Sequence, residues 1–421
     1  ESILDECLGA RLPQHRLTWH YRSRHESLIA FSNHTYYDGD LITFPAPVTR
    51  ESAVTMVQVA GAWARGKTRT NKAEAEAIVG EAVRRLHDPA FRDEKGDPFS
   101  LGIITLNSEQ QKLIEDLLDA ERRRYPELEP FFDEESAREH VIVKNLETVQ
   151  GDERDVILLG VGFGPETPGA PTMPMNFGPL NRSGGWRRLN VAITRARREM
   201  LVYASFPPHL IDKNRTSASA VHDLQNYLEF AERGPRALGE RVAGSLGSYE
   251  SPFEQAVARG FRDKGWMPVT QIGGSRFRID LGIVHPDRPG DFLAGVECDG
   301  ATYHSAATAR DRDMLRESIL GDLGWKLVRV WSTDWWIDPK GAVERLDTSL
   351  RSLLETSRAA IAVQEEATVQ AMANAEEETR QPVAVLGTQH EVFLATSAAD
   401  SQDARFAAGP LSPQPFGGRP S

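Results

Sequence analysis

The sequence predicts an α/β protein: a domain built on a mainly parallel sheet, then a smaller α/β domain, then a disordered acidic tail. Two observations carry this. Through the first half, apolar β-rich runs alternate with stretches whose apolar residues recur every three or four positions, the pattern of strands linked by covering helices. After a Gly/Ser-containing stretch the pattern restarts on a smaller scale, and past Ala359 it gives way to Ala, Glu, Gln, Ser and Pro.

In the first domain, Val54 to Val59, Leu101 to Thr105, Val141 to Val143, Val156 to Val161 and Met200 to Ala204 read as strands, with helices over Lys72 to Leu86 and Ser108 to Arg124. Gly164 to Gly185 is rich in turn residues and reads as a long surface loop before the next helix. Ser217 to Arg236 is one amphipathic helix, and Gly239 to Ser251 a linker. The second domain reads as helix Phe253 to Lys264, strands Met267 to Ile272, Phe277 to Val284 and Ala294 to Cys298, helix Ala309 to Leu323, strand Lys326 to Trp331, and a helix from Gly341 to about Arg358. In the tail only Ala359 to Glu377 has a helical pattern. The division is therefore residues 1–215, 216–250, 251–358 and 359–421.

Composition narrows the function classes. No apolar run approaches the roughly 18 residues of a membrane span, so no membrane partner is expected. Cys7 and Cys298 are far apart and form no metal or disulfide spacing, which fits a reducing cytoplasm. The net charge of −12 opposes nucleic-acid binding in total, but the acidic tail supplies much of it, while arginine clusters remain at 122–124, 187–188 and 195–198. Glu1 to Leu12 has no leader pattern and does not start with Met, so the chain reads as part of something longer.

Gly61 to Thr68 matches the phosphate-loop pattern GxxxxGK[ST]. A working loop places its Lys and Thr in the first turn of a helix, where backbone N–H groups face the phosphates. Here Asn71 with Glu74 makes a better helix start, leaving Lys67 and Thr68 in the loop. A free-standing ATPase acting through Lys67 is thus an alternative rather than the leading reading.

Four motifs in order over the first domain point elsewhere. Leu17-Thr18-Trp19-His20-Tyr21-Arg22-Ser23, followed by Phe31-Ser32-Asn33 and Tyr37-Asp38-Gly39, resembles motif IV of superfamily-1 helicases. Gly102-Ile103-Ile104-Thr105 with Gln110 resembles the next strand-loop motif. Glu147 to Asp155, containing Gln150-Gly151-Asp152-Glu153, is similar to motif V, and Arg187 to Arg197 to motif VI. The resemblance implies a second RecA-like domain in which Arg22, Glu153 and Arg195 reach ATP and Gln150 and Gly151 contact nucleic acid. Two cations facing a transferring phosphoryl group are what that chemistry requires. It also implies a first RecA-like domain, holding the true phosphate loop, as partner.

The second domain places Glu254 on a helix, Asp280 in a strand, Glu297-Cys298-Asp299-Gly300 at the end of another, and His304 beyond. Carboxylates at strand ends suit a hard cation, and hydrolysis of a phosphodiester needs an activated water. The order resembles the PD-(D/E)xK restriction-endonuclease-like fold, and Glu297 to His304 with Gly324-Trp325 resembles its very-short-patch-repair branch. The resemblance implies Mg²⁺ (or Mn²⁺) held by Asp280 and Glu297, with Asp299 as a third ligand standing where the family has lysine. It also implies a supporting role for Glu254, proton transfer by His304, and phosphate contacts from Arg310 and Arg316. Together the motifs imply a DNA helicase-nuclease, RNA not excluded, working in repair or in defence against foreign DNA. The alternative is a catalytically silent DNA-binding module.

Overall fold

Each of the five apolar runs is long enough to pair and is bounded by polar or turn residues, so they assemble as strands. The computed structural model describes residues 3–13, 18–50, 52–93, 95–238, 249, 251–274, 277–299 and 307–380. After α1 (Ile3–Gly9) and α2 (Ser27–Tyr36) come β1 (Val54–Gln58), α3 (Lys72–His87), β2 (Leu101–Thr105), α4 (Ser108–Arg124), β3 (Ile142–Asn145), β4 (Arg154–Gly160), α5 (Gly185–Ile193) and β5 (Ala196–Ala204). The strands form one parallel sheet in the order β1-β5-β4-β2-β3. Parallel neighbours need crossovers, and the helices supply them. Every residue of β2 is buried, as expected for a strand covered on both faces.

The two faces have separate cores. α3 and α4 pack Ile78, Ala82, Ile114 and Leu118 on one side. On the other, α2 and α5 are joined by α6 (Ser219–Arg233), whose Val221, Leu224, Leu228 and Phe230 enter the same core as Phe31 and Leu189. Phe31 meets Tyr227 edge-on at 5.1 Å between ring centroids.

The second sheet has the order β6 (Pro268–Ile272), β7 (Ile279–His285), β8 (Arg288–Asp299) and β9 (Leu327–Trp331), preceded by α7 (Pro252–Asp263). β6, β7 and β8 are antiparallel; β9 runs parallel to β8, and α8 (Ala307–Asp322) makes that return. After α9 (Ser332–Ile337), α10 (Pro339–Arg380) lays Leu346 and Leu350 beside Phe253, Val257 and Phe261. α10 corrects the expected stop near Arg358: no Gly or Pro interrupts residues 342–380, and an Ala/Glu/Gln-rich run favours continuing the helix. From residue 381 the expected disordered tail lies outside the described residues.

Contacts divide the chain into Glu1–Met372 and Ala373–Ser421, and both sheets belong to the first unit. They are joined by the segment between α2 and β1, which the sequence did not single out. Trp325 donates its indole N–H to the Pro45 carbonyl at 2.9 Å, and Phe292 N–H to that of Pro47 at 3.0 Å. Phe44 stacks on Phe277 at 5.5 Å, with Trp19 edge-on to the same ring. Glu26, half-buried, accepts the Gly274 N–H at 2.9 Å. Among the described residues no helix is long and apolar enough to cross a membrane.

Candidate functional site

The first charged cluster forms where β4 and β5 begin. The chain before α2 is pinned by His20 N–H to Ile42 O at 2.8 Å and Arg24 N–H to Arg197 O at 2.6 Å. Arg22 stands between these anchors with 40% of its side chain exposed, its Nε 2.7 Å from Glu153 Oε2. Glu153 follows the turn at Gly151, whose φ of +97° favours a residue without Cβ. Arg195 leaves the end of α5 and donates to Val191 O at 2.7 Å and Thr194 Oγ1 at 3.1 Å. Burial, and then the charge of Arg22, hold its pKa below that of an ordinary guanidinium.

Arg22, Glu153 and Arg195 are thus brought together from three motifs. Glu153 lies between Arg22 and Arg197, whose Nη1 is 3.6 Å from Glu153 Oε1, and Asp152 also acts on Arg195. Arg197 is held more firmly: Glu139, Asp155 and Ser100 all accept from it, so it links the cluster to the rest of the fold. Sequence reasoning passed over Tyr37 and Asn190 as site residues, although both lay within quoted motifs; Asn190 Nδ2 reaches the Tyr37 hydroxyl at 3.2 Å. Gln150 and Gly151 sit exposed on the turn between β3 and β4.

The phosphate-loop look-alike is a turn ahead of α3. Lys67 N–H and Arg69 N–H both donate to Ala64 O, at 3.2 and 2.9 Å, and Lys67 and Thr68 are exposed. Asn71 caps the helix, its Oδ1 accepting the Glu74 N–H at 3.3 Å. Gln110, from the second quoted motif, is fully buried and brackets Asn71, accepting its N–H at 2.8 Å and donating to its carbonyl at 3.0 Å. Side chains therefore fill this helix start.

The second cluster lies at one end of β7 and β8. Leu281 pairs with Val296, so Asp280 and Glu297 stand one step further along on one face of the sheet. Asp280 Oδ2 accepts the Cys298 N–H at 2.7 Å. Burial pushes the Asp280 carboxyl up to about 6; the Cys298 N–H opposes this, and Glu254 adds to it. Burial likewise raises Glu297 to about 7, against the pull of Arg316. Glu254 opens α7, where Ser251 Oγ donates to its Oε1 at 2.9 Å and Gln271 Nε2 to its Oε2 at 3.1 Å. Gln271 is held at φ +53°, a conformation that a buried non-glycine residue adopts only under strong constraint. Asp299 ends β8, in register with Trp331 of β9.

Arg316, expected to contact phosphate, is engaged inside the domain. From α8 it turns inward: Nη2 lies 2.8 Å from Glu297 Oε1, Nη1 donates to Oε2 at 3.3 Å, and Nη2 also donates to Arg278 O at 2.6 Å. Only 15% of its side chain is exposed, because the buried carboxylate offers more than solvent does. His304 and the side chain of Arg310 lie outside the described residues. Two hard oxygen donors on neighbouring strands, with Glu297 Oε1 buried and lacking a properly aligned hydrogen bond, fit a divalent cation in kind. Among the described residues, however, no three His, Cys, Asp or Glu side chains gather closely enough to hold one.

Residues 1–206 match the family AAA_12, an AAA domain, and residues 253–350 match REase_MTES_1575. The "Uncharacterized ATP-dependent helicase MG140 homolog" of Mycoplasma pneumoniae is 28% identical over 353 residues, and the "Uncharacterized ATP-dependent helicase MG140" of Mycoplasma genitalium 28% over 352. Each match covers 79% of this chain but 29% of the relative, so the chain spans under a third of their length. The crystal structure of "the C-terminal domain of a possible DNA helicase" from Lactobacillus plantarum covers 48% of this chain and 96% of its own, at 17% identity. Its TM-score of 0.25 carries no argument.

Proposed function

Because a helicase-type AAA domain followed by a restriction-endonuclease-like domain makes up this chain, we propose that it is the C-terminal part of an ATP-dependent DNA helicase that also cuts its substrate. In this reading Arg22 and Arg195 place positive charge on the phosphates of an ATP bound by a first RecA-like domain outside residues 1–421, and Glu153 holds Arg22 ready. The short coverage of the helicase relatives and the position of Lys67 ahead of its helix support a phosphate loop supplied elsewhere. Gln150 and Gly151, exposed on their turn, take the nucleic-acid backbone, and residues 1–215 and 251–358 are the two working domains.

The cutting step belongs to Asp280, Glu297 and Asp299 as holders of Mg²⁺ or Mn²⁺. Such an ion, when bound, supplies Lewis-acid activation of water and neutralises charge on the phosphodiester. The Cys298 N–H fixes the Asp280 carboxylate, while Ser251 and Gln271 fix that of Glu254. His304, whose ordinary pKa lies near neutrality, carries the proton to the leaving oxygen, and Arg310 steadies phosphate. The two free cysteines, Cys7 and Cys298, accord with a cytoplasmic setting. The observation that carries the reading is the place of Asp280 and Glu297 on adjacent strands, one step beyond the Leu281–Val296 pair, with Glu254 braced by Gln271.

The test is cleavage of supercoiled and single-stranded DNA by the whole chain with Mg²⁺ or Mn²⁺. Metal-dependent cutting, abolished in both Asp280→Ala and Glu297→Ala, is expected. The guanidinium on Glu297 favours a second reading, a DNA-binding module without catalysis. Metal-independent binding with no cleavage would establish that one instead.

A further inference from the structure

α5 ends near Arg195 but begins on the other side of the first sheet. It follows β4, α6 follows β5 and Glu147 follows β3, so both helix starts and Glu147 lie at the carboxyl edge of the parallel strands, where open α/β sheets take ligands. A cavity of about 450 Å³ opens there, with Arg182, Ser183, Trp186, Ser217 and Ser219 in its wall and no acidic residue. Trp186 is 37% exposed, although its indole is well braced. The ring stacks on Tyr36 at 5.4 Å between centroids, and Tyr36 in turn donates its hydroxyl to Asp223 Oδ2 at 3.2 Å. The Arg187 guanidinium lies 5.3 Å from the indole centroid. Arg182, Arg187 and Arg188 belong to a stretch, residues 167–198, that contains no acid. Arg182 meets Glu147 through Nη1 at 3.4 Å and, with 69% of its side chain exposed, keeps further donors for a phosphate. Glu147 itself opens the turn that carries Gln150 and Gly151.

We propose that this cavity is a subsite for one unpaired base of single-stranded DNA. The base rests against the Trp186 indole, Arg182 takes an adjoining phosphate, and the strand continues to the turn at Gln150 and Gly151. This rests on the reading that the turn contacts the nucleic-acid backbone. Every base has a π-face that an indole can receive, so the subsite selects unpaired strand without selecting sequence. The arginines act on the backbone, whose charge is likewise the same in every sequence. A paired base, held within its duplex, cannot enter.

Fluorescence anisotropy of a labelled oligothymidylate, beside an abasic oligomer of the same length and phosphate count, tests this on the whole chain. The unaltered protein should prefer the thymidylate, and in Trp186→Ala that preference should fall about tenfold, the worth of one base–aromatic contact. Arg182→Gln should weaken both oligomers alike and leave the preference in place. Ser217→Leu, at an exposed position in the cavity wall, fills the space and should reduce the preference too; it serves if Trp186→Ala fails to fold by circular dichroism. An unchanged preference in the folded Trp186 or Ser217 variant overturns the subsite. Weaker binding by Gln150→Ala would then leave the nucleic-acid reading standing, and unchanged binding would remove it as well. No binding of either oligomer by the unaltered chain would overturn both together.

Discussion

The two charged clusters are built on opposite terms. Around Arg22 the charges are open to water: the Arg22–Glu153 pair has 40% and 33% of its side chains exposed. Around Glu297 the Arg316–Glu297 pair is closed, at 15% and 9%. An exposed pair in water can be opened at little cost. A buried pair cannot lose one member without leaving an uncompensated charge in the interior. The difference lies in what each cluster loses when one partner is removed.

Equilibrium unfolding in urea would break or sharpen this contrast. The largest effect should come from Glu297→Ala, which strands the Arg316 guanidinium in the interior and should cost about 3–5 kcal/mol. A loss near zero would mean that water reaches the pair and the contrast fails.

Next in size is a pH effect within the first region but away from its open cluster. Burial raises Glu74 to about 8, opposed by the N–H groups of Gly162 and Val161. A raised folded pKa means that its stability is full below the ordinary 4.5 and is lost as pH climbs through 8, at up to about 1.4 kcal/mol per unit. His25 has the opposite sign: burial lowers it to about 4, so its stability is full above 6.5 and lost as pH falls toward 4. Glu74→Gln should flatten the alkaline limb of the stability profile and leave the acid limb in place. An unchanged alkaline limb would show that Glu74 reaches water.

Smaller still is Gly151→Ala, where a Cβ meets nothing within 4 Å, so only the positive φ is penalised, at about 1–2 kcal/mol. Least of all is Glu153→Ala, expected to cost under about 1 kcal/mol because Arg22 is freed into solvent and Arg197 keeps Glu139 and Asp155. A cost equal to that of Glu297→Ala would erase the distinction between the clusters.

Much of this was legible in the sequence, for reasons particular elements make plain. Strand and helix alternation gave the elements of the first sheet in chain order because each strand run is apolar and the helices between them repeat at their own spacing; the order of strands in the sheet was not readable that way. Asn71 marked the start of α3 because an amide side chain three residues ahead of Glu74 can do little there but cap. Asp280 and Glu297 were found because polar residues interrupting apolar strands are conspicuous. What escaped was set by distance along the chain. Nothing local says that Arg22 will meet Glu153, and nothing local links Pro45 with Trp325. A long side chain on an amphipathic helix can also turn either way, so the pattern around Arg316 did not reveal that it faces inward. His304 is legible only as a residue type.

The segment from Ile42 to Arg50 makes the molecule hard to divide. Phe44, Pro45 and Pro47 reach the second sheet before β1 of the first has begun, and Thr49 N–H meets Gly290 O at 2.8 Å. Protease nicking in the stretch after Leu238 should therefore leave two pieces that stay clasped, for the tether is not what holds them. Residues 251–380 made alone would expose the Phe277 face that Phe44 covers and leave the buried Trp325 donor without its acceptor. Whatever lineage first brought these two halves together, exchanging either one now means redesigning the clasp.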